Sequence, residues 1–146
     1  MNFDKLTEMM IQDEDEQFQL YQDDNGNWTI GIGYNLSARG ISKNISRMMF
    51  KECMQEFISD LSLIFIDQSY FAFPSNIQMV LFNMRFQMGY TGFRRFKRMI
   101  RAVKVYDWHG MIREMKDSVW YHKFTSRAER LIALVQEVID EKERNS

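Results

Sequence analysis

Four of the seven glycines fall between Gly26 and Gly40, and the 106 residues that follow hold only Gly89, Gly92, Gly110 and the single proline, Pro74. Glycine and proline are the strongest local punctuators of a chain. A glycine-dense patch reads as turns and short strands, and a long breaker-poor remainder reads as helices. This distribution predicts a predominantly helical α+β protein. A small N-terminal lobe with a β-hairpin and a connecting helix occupies residues 1–60, and a larger helical lobe occupies 61–146, with a cleft between them as the natural ligand site. A chain of 146 residues buries roughly 70% of its unfolded surface and needs no staple. The lone Cys53 cannot form an intramolecular disulfide, and it makes no zinc set with His109 and His122. A disulfide scaffold and a structural zinc module are therefore excluded, and Cys53 is expected to be a buried small hydrophobe.

Local patterns refine this outline. Asn2 can cap a first helix whose Phe3, Leu6 and Met10 recur at helical spacing. That helix runs into Asp13, Glu14, Asp15 and Glu16, and acids at a helix C-terminus oppose the macrodipole. Residues 18–22 alternate, Asn25-Gly26 signals a turn, and residues 28–33 alternate again. Trp28, Ile30 and Ile32 would share one face, and Thr29, Gly31 and Gly33 the other, where the lack of bulk admits a close neighbour. Ser42 can cap a helix to about Ile66 with Met48, Met49, Cys53, Met54, Phe57 and Leu61 as its apolar stripe. Further helices are expected from Pro74 to Met88, along the stripe Phe93, Phe96, Ile100 and Val103, over 107–118 and over 125–142, with a frayed tail from Asp140. Twelve Met and twelve Phe suggest a core of flexible and flat side chains.

The formal net charge of −1 conceals a split: residues 1–26 hold eight acids and one base, and residues 85–130 hold twelve bases and four acids. The basic run Arg94, Arg95, Lys97, Arg98, Arg101, Lys104 forms the outer face of a helix. By itself it suits a solvated surface, a nucleic acid, an anionic membrane or an anionic wall polymer. No apolar run approaches the length of a membrane-spanning helix, and Asp4, Lys5 and Glu8 interrupt any signal-peptide core.

Glu14, Asp23 and Thr29 form the constellation with chemical content. Glycosidic hydrolysis needs two carboxyl groups in different environments, one protonated to serve the leaving oxygen and one ionised to activate water. A hydroxyl beside the second can hold that water. A two-residue turn at Asn25-Gly26 would put Asp23 and Thr29 on opposite hairpin faces. Their cooperation requires a longer loop or a bulge, with Gly26 in a left-handed conformation.

The spacing of Glu14, Asp23 and Thr29, running into Ile30-Gly31-Ile32-Gly33, resembles the bacteriophage-type lysozymes, glycoside hydrolase family 24, of the T-even kind. The resemblance returns in Asn83-Met84-Arg85-Phe86-Gln87-Met88-Gly89 with Thr91-Gly92, in Trp120-Tyr121, and in Arg127-Ala128 with Arg130. It covers nearly the whole chain and implies a single lysozyme-like domain. It further implies a muramidase that cleaves the β-1,4 bond between N-acetylmuramic acid and N-acetylglucosamine in peptidoglycan, with inversion and without metal or organic cofactor. Glu14 takes the position of the general acid. Asp23 and Thr29 take those that handle water. Gly33, Phe86 and Gln87 take substrate-contacting positions, and Arg127 packs near the acid. Phe86 suits a core role equally well, Trp120 is expected in the core, and both histidines are expected on the surface.

The chain departs from the family pattern at Asp15, where many members carry glycine, and at Tyr34, where many carry histidine. The resemblance also implies a monomeric endolysin with no stable nucleic-acid partner. Such a protein waits in the host cytoplasm for a holin-type partner and then acts on the wall in the periplasm. A virion or secretion-device lysozyme fits the sequence as well. The contrasting expectation is a catalytically inactive cell-wall-binding or nucleic-acid-binding protein on the same scaffold.

Overall fold

A computed structural model describes residues 1–146. The chain divides into two units, Met1–Phe50 and Lys51–Ser146, and the division falls inside the connecting helix, nearer its start than the 60/61 boundary read from the sequence.

In the first unit, helix α1 spans Phe3–Glu14, and the Asn2 side chain accepts a hydrogen bond from the Lys5 N–H, as expected of an N-cap. Strands β1 (Gln17–Gln22), β2 (Trp28–Gly31) and β3 (Tyr34–Asn35) form an antiparallel sheet in that order. The third strand was not foreseen. It exists because Gly31 and Gly33 both take positive φ, 65° and 61°, turning the chain back where the sequence suggested a continued strand. Within β2 Thr29 is the buried residue and Trp28 is about half exposed, so Thr29, on the face of small side chains, is the covered one. A short helix α2 (Leu36–Arg39) follows, capped by the Asn35 side chain. Its Ser37 hydroxyl accepts the Trp28 N–H and ties the helix to β2.

Helix α3 (Lys43–Ile64) begins at Ser42, whose hydroxyl accepts the Ile45 N–H. The expected stripe is corrected at its start, while Met54 and Phe57 further along are partly buried. Leu61 is buried, Cys53 is only partly covered, and Met48 and Met49 are exposed. Helical periodicity locates a face but does not say whether another element reaches it.

The second unit is a helical bundle. After a 3₁₀ turn at Tyr70–Ala72 come α4 (Ser75–Arg94), α5 (Lys97–Lys104), α6 (Trp108–Lys116), α7 (Val119–Lys123) and α8 (Thr125–Arg144). Pro74 precedes α4, and Gly89, with φ 74°, interrupts it after Met88. The short α7 was not anticipated; Ser118 caps it and separates it from α6. Helix α8 stays regular to Arg144, which overturns the expected fraying from Asp140. Helix α8 packs on α4, α6 and α7, and α5 packs on α6. Their shared core includes Leu61, Phe65, Ile77, Met84, Phe93, Met99, Met111 and Val135. Trp120 is buried, and both histidines are exposed.

Candidate active site

Glu14 is the last residue of α1 and lies exposed to solvent. Within its unit its carboxylate accepts no hydrogen bond. A Cβ added to Gly33 would lie 3.0 Å from Glu14 Oε2 and 3.3 Å from Glu14 Cβ. The bare backbone foreseen on the β2 side is therefore the surface against which Glu14 rests. The chain leaves the helix through Asp15 at φ 65° and ψ 165°, a region that essentially only glycine occupies without strain. The Asp15 carboxylate is fully engaged: Oδ1 accepts the Glu16 N–H at 2.8 Å, and Oδ2 accepts from the Gln17 side chain at 2.5 Å.

Asp23 and Thr29 are set by the turn that joins β1 to β2. Gln22 pairs with Trp28 and Tyr21 with Thr29, and the register slips between Gln17 and Tyr21. Five residues form the connection, Gly26 has φ 78°, and the Asp23 N–H bonds to the Asn27 carbonyl at 3.0 Å. The longer loop, the irregular strand and the left-handed glycine required by the sequence argument are all present. In this register Tyr21 and Asp23 share a face with Thr29, because side chains alternate along each strand and partners lie side by side.

The same turn holds the Asp23 carboxylate. Oδ1 accepts the N–H groups of Asn27 at 2.8 Å and Asn25 at 2.9 Å, and Oδ2 accepts the Asn27 side-chain amide at 3.2 Å. The Asn27 backbone N–H does most to hold this carboxyl below its ordinary range. Partial desolvation opposes the shift, and the Asn27 amide and the Asn25 N–H add to it. The Thr29 hydroxyl donates to the Asn27 carbonyl at 3.0 Å, so its proton is committed and its lone pairs remain able to accept.

The remaining candidates lie in the second unit. Phe86 is 46% exposed and meets Phe57 edge-on at 5.6 Å between centroids. The Gln87 side-chain oxygen accepts the Trp120 indole N–H at 2.9 Å, which fixes the amide. Arg127 Nε donates to Asn83 Oδ1 at 2.8 Å. Arg85, read only as part of a motif, is a buried cation: its Nε donates to Asp60 Oδ2 at 2.9 Å, and its guanidinium lies 4.0 Å from the centre of the Phe57 ring. Tyr34, in the first unit, donates to the Gly40 carbonyl at 2.9 Å, and the Arg39 guanidinium sits 5.2 Å from its ring centre.

The first unit thus contains Glu14, Asp23, Thr29 and Gly33, and the second contains Phe86, Gln87 and Arg127. Sequence reasoning passed over Asn27, Asn83 and the orienting role of Trp120. Asn27 was within reach, because Asp-x-Asn-Gly-Asn is dense in residues that bond their own backbone around a turn. Asn83 and Trp120 act on partners more than thirty positions away, which local pattern cannot show.

Comparison with known proteins fits this geometry. No protein-family model matches the chain. Two proteins of Dictyostelium discoideum, named "Probable T4-type lysozyme 1" and "Probable T4-type lysozyme 2", are each 25% identical to it, covering 90% of this chain and 93% of their own lengths. The "Pre-baseplate central spike protein Gp5" of Enterobacteria phage T4 is 25% identical over 89% of this chain, which spans only 27% of that longer protein. The chain is thus similar to T4-type lysozymes over nearly its whole length. The likeness supports a lysozyme-like function of the glycoside hydrolase class, and it gives Asp15 a context. Where many phage-type lysozymes place glycine, this chain holds an aspartate in the backbone conformation that glycine adopts most cheaply.

Proposed function

We propose that the protein is a muramidase that hydrolyses the β-1,4 bond between N-acetylmuramic acid and N-acetylglucosamine in peptidoglycan. The observation that carries this reading is the turn at Asp23. It keeps one carboxylate ionised by three hydrogen bonds and sets the Thr29 hydroxyl on the same face. In the proposed reaction, Glu14 gives its proton to the glycosidic oxygen as the C1–O bond breaks and that oxygen keeps the bonding pair. A water donates one hydrogen bond to Asp23 and one to Thr29 Oγ1, whose own proton is held by the Asn27 carbonyl. The water's free lone pair attacks C1 from the opposite side, and its proton passes to Asp23. General acid and base contributions of about 10²–10⁴-fold each are ordinary for groups so placed.

Inversion is the outcome we favour. Glu14 rests at the Gly33 end of β2 and Asp23 at its turn end. A four-residue strand spans on the order of 10 Å at about 3.3 Å per residue. That scale suits the roughly 6.5–9.5 Å of inverting pairs better than the roughly 5–5.5 Å of retaining pairs.

Digestion of purified peptidoglycan by the wild type, followed by mass spectrometry, tests the reaction. Reducing-end N-acetylmuramic acid is expected. Intact peptidoglycan recovered with the protein bound would favour the binding-module reading, and 1,6-anhydro ends would replace hydrolysis with transglycosylation. Proton NMR of the first-formed anomer tests inversion.

Two biological settings follow from the same chemistry. The first is an endolysin released to the periplasm by a holin-type partner. The likeness to Gp5, a pre-baseplate central spike protein, favours the second, a virion component. Mass spectrometry of purified virions separates them: the endolysin is absent and the virion component present.

A further inference from the structure

The end of α4 and all of α5 carry a charged feature that the hydrolytic reading leaves unused. Arg94, Lys97, Arg101 and Lys104 recur at helical spacing and line one surface cavity of about 540 Å³ that lies wholly within the second unit. Neighbouring Arg98 behaves as an ordinary surface arginine: its guanidinium lies 3.0 Å from Glu114 and 3.0 Å from Asp117. None of the four cavity cations forms an ion pair. Like charges three and four residues apart repel along a helix. Arg101 and Lys104 gain from the helix dipole in the last turn of α5, but Lys97 opens that helix, where the dipole disfavours a cation. Four cations around one hollow without a carboxylate partner, offset internally only where Arg94 meets the Tyr90 ring, are a local cost that points to an anion from outside the chain.

The rest of the lining says what kind of anion. Leu63, Ile64 and Ile100 supply aliphatic surface, and Leu63 is 62% exposed. Ile66 and Val105, which follow closely in the chain, are also exposed. The one aromatic ring in the cavity, Tyr90, already carries the Arg94 guanidinium 5.3 Å from its centre and that of Arg85 at 6.0 Å. A groove for single-stranded nucleic acid offers free aromatic faces to bases, and this one does not. Cations beside bare aliphatic side chains suit an anion with an apolar continuation. We propose that the cavity docks the headgroup of an anionic phospholipid at a membrane surface. The four cations take the phosphate, and Leu63 with its aliphatic neighbours meets the start of the acyl chains. This docking involves none of Glu14, Asp23 or Thr29, so it stands or falls separately from the hydrolytic reading.

Co-sedimentation of the full chain with vesicles tests it, comparing phosphatidylglycerol mixed into phosphatidylcholine with phosphatidylcholine alone. Binding is expected only to the anionic vesicles. The variant R94Q/K97Q/R101Q/K104Q is expected to bind them about a thousandfold more weakly. K43Q/K116Q/K123Q/K142Q, with the same change in net charge, stays within a few-fold of wild type. Leu63→Ser, at constant charge, also weakens binding. Hydrolysis of soluble peptidoglycan fragments is unchanged in all three. Circular dichroism checks each fold, and K97Q/R101Q, with a loss of about thirtyfold, carries the test if the quadruple variant does not fold. An equal loss in the two quadruple variants would overturn the proposal, since it would leave only net charge at work. Absence of vesicle binding would overturn it too, as would preference for duplex DNA or inorganic phosphate over the vesicles.

Discussion

Residues 51–146 hold every buried hydrophobic side chain of the protein, whereas in residues 1–50 the one buried side chain is Thr29. The second unit is organised by apolar burial around Leu61, Phe65, Met84 and Val135. The first is organised by caps, a five-residue turn and three positive-φ glycines between β1 and β3. Both carboxyl groups assigned to the chemistry lie in the unit with almost no buried core. Hydrogen-bonded turns fix polar atoms by direction, which burial cannot do, because the hydrophobic effect has no directionality. Stability and reactivity are therefore expected to respond to different substitutions.

The largest contrast is between two phenylalanines. Phe65 is fully buried and Phe18 is 78% exposed. Phe65→Ala is expected to lose about 3–5 kcal/mol of folding free energy by chemical denaturation, and Phe18→Ser less than about 0.5 kcal/mol. Similar losses from the two would erase the distinction between the units. A smaller effect of opposite sign is expected at Asp15. Replacing it with glycine relieves backbone strain and should stabilise the fold by about 1–2 kcal/mol, less what is lost with its bonds to Glu16 and Gln17. A destabilised Asp15→Gly variant would mean that those two bonds outweigh the strain.

The smallest effect is one of pH. The Asp23 carboxyl is held below its ordinary range, chiefly by the Asn27 N–H. Its contribution to folding is therefore present above the unfolded carboxylate pKa and is lost as pH falls through the lower folded value. Asn27→Ala removes the side-chain bond but keeps the N–H. It should move the acidic limb of the activity profile upward, toward the usual carboxylate range, with little change at neutral pH. A limb that stays in place would separate Asp23 from the pH dependence. In the second unit, burial pushes the Tyr70 hydroxyl up to about 12. That contribution is complete below about pH 10 and is lost as pH rises toward 12, so acid and alkali probe different units.

How legible each region was follows from the same contrast. Most helices after Pro74 came through because apolar periodicity and sparse breakers report the burial that builds them, and Gly89 marks the break in α4 as read; α7 did not, and the stripe expected from Phe93 to Val103 is split between α4 and α5. The stripe at Met48 and Met49 misled because periodicity says nothing about cover. In the first unit, the turn at Asp23 was legible as a requirement of the chemistry. Strand β3 was not, because it depends on the conformations of Gly31 and Gly33, which spacing does not specify. Asn83 beside Arg127 and Trp120 beside Gln87 were invisible for want of any local signature.

The central claim is that Glu14, in the hydrogen-bonded unit, carries the chemistry without carrying the fold. Lysis of outer-membrane-permeabilised Gram-negative cells by Glu14→Gln, measured with its thermal midpoint, tests both halves at once. The account predicts a loss of about 10²-fold or more in lysis rate and a midpoint close to that of the wild type. Lysis equal to the wild type at the same midpoint would contradict it.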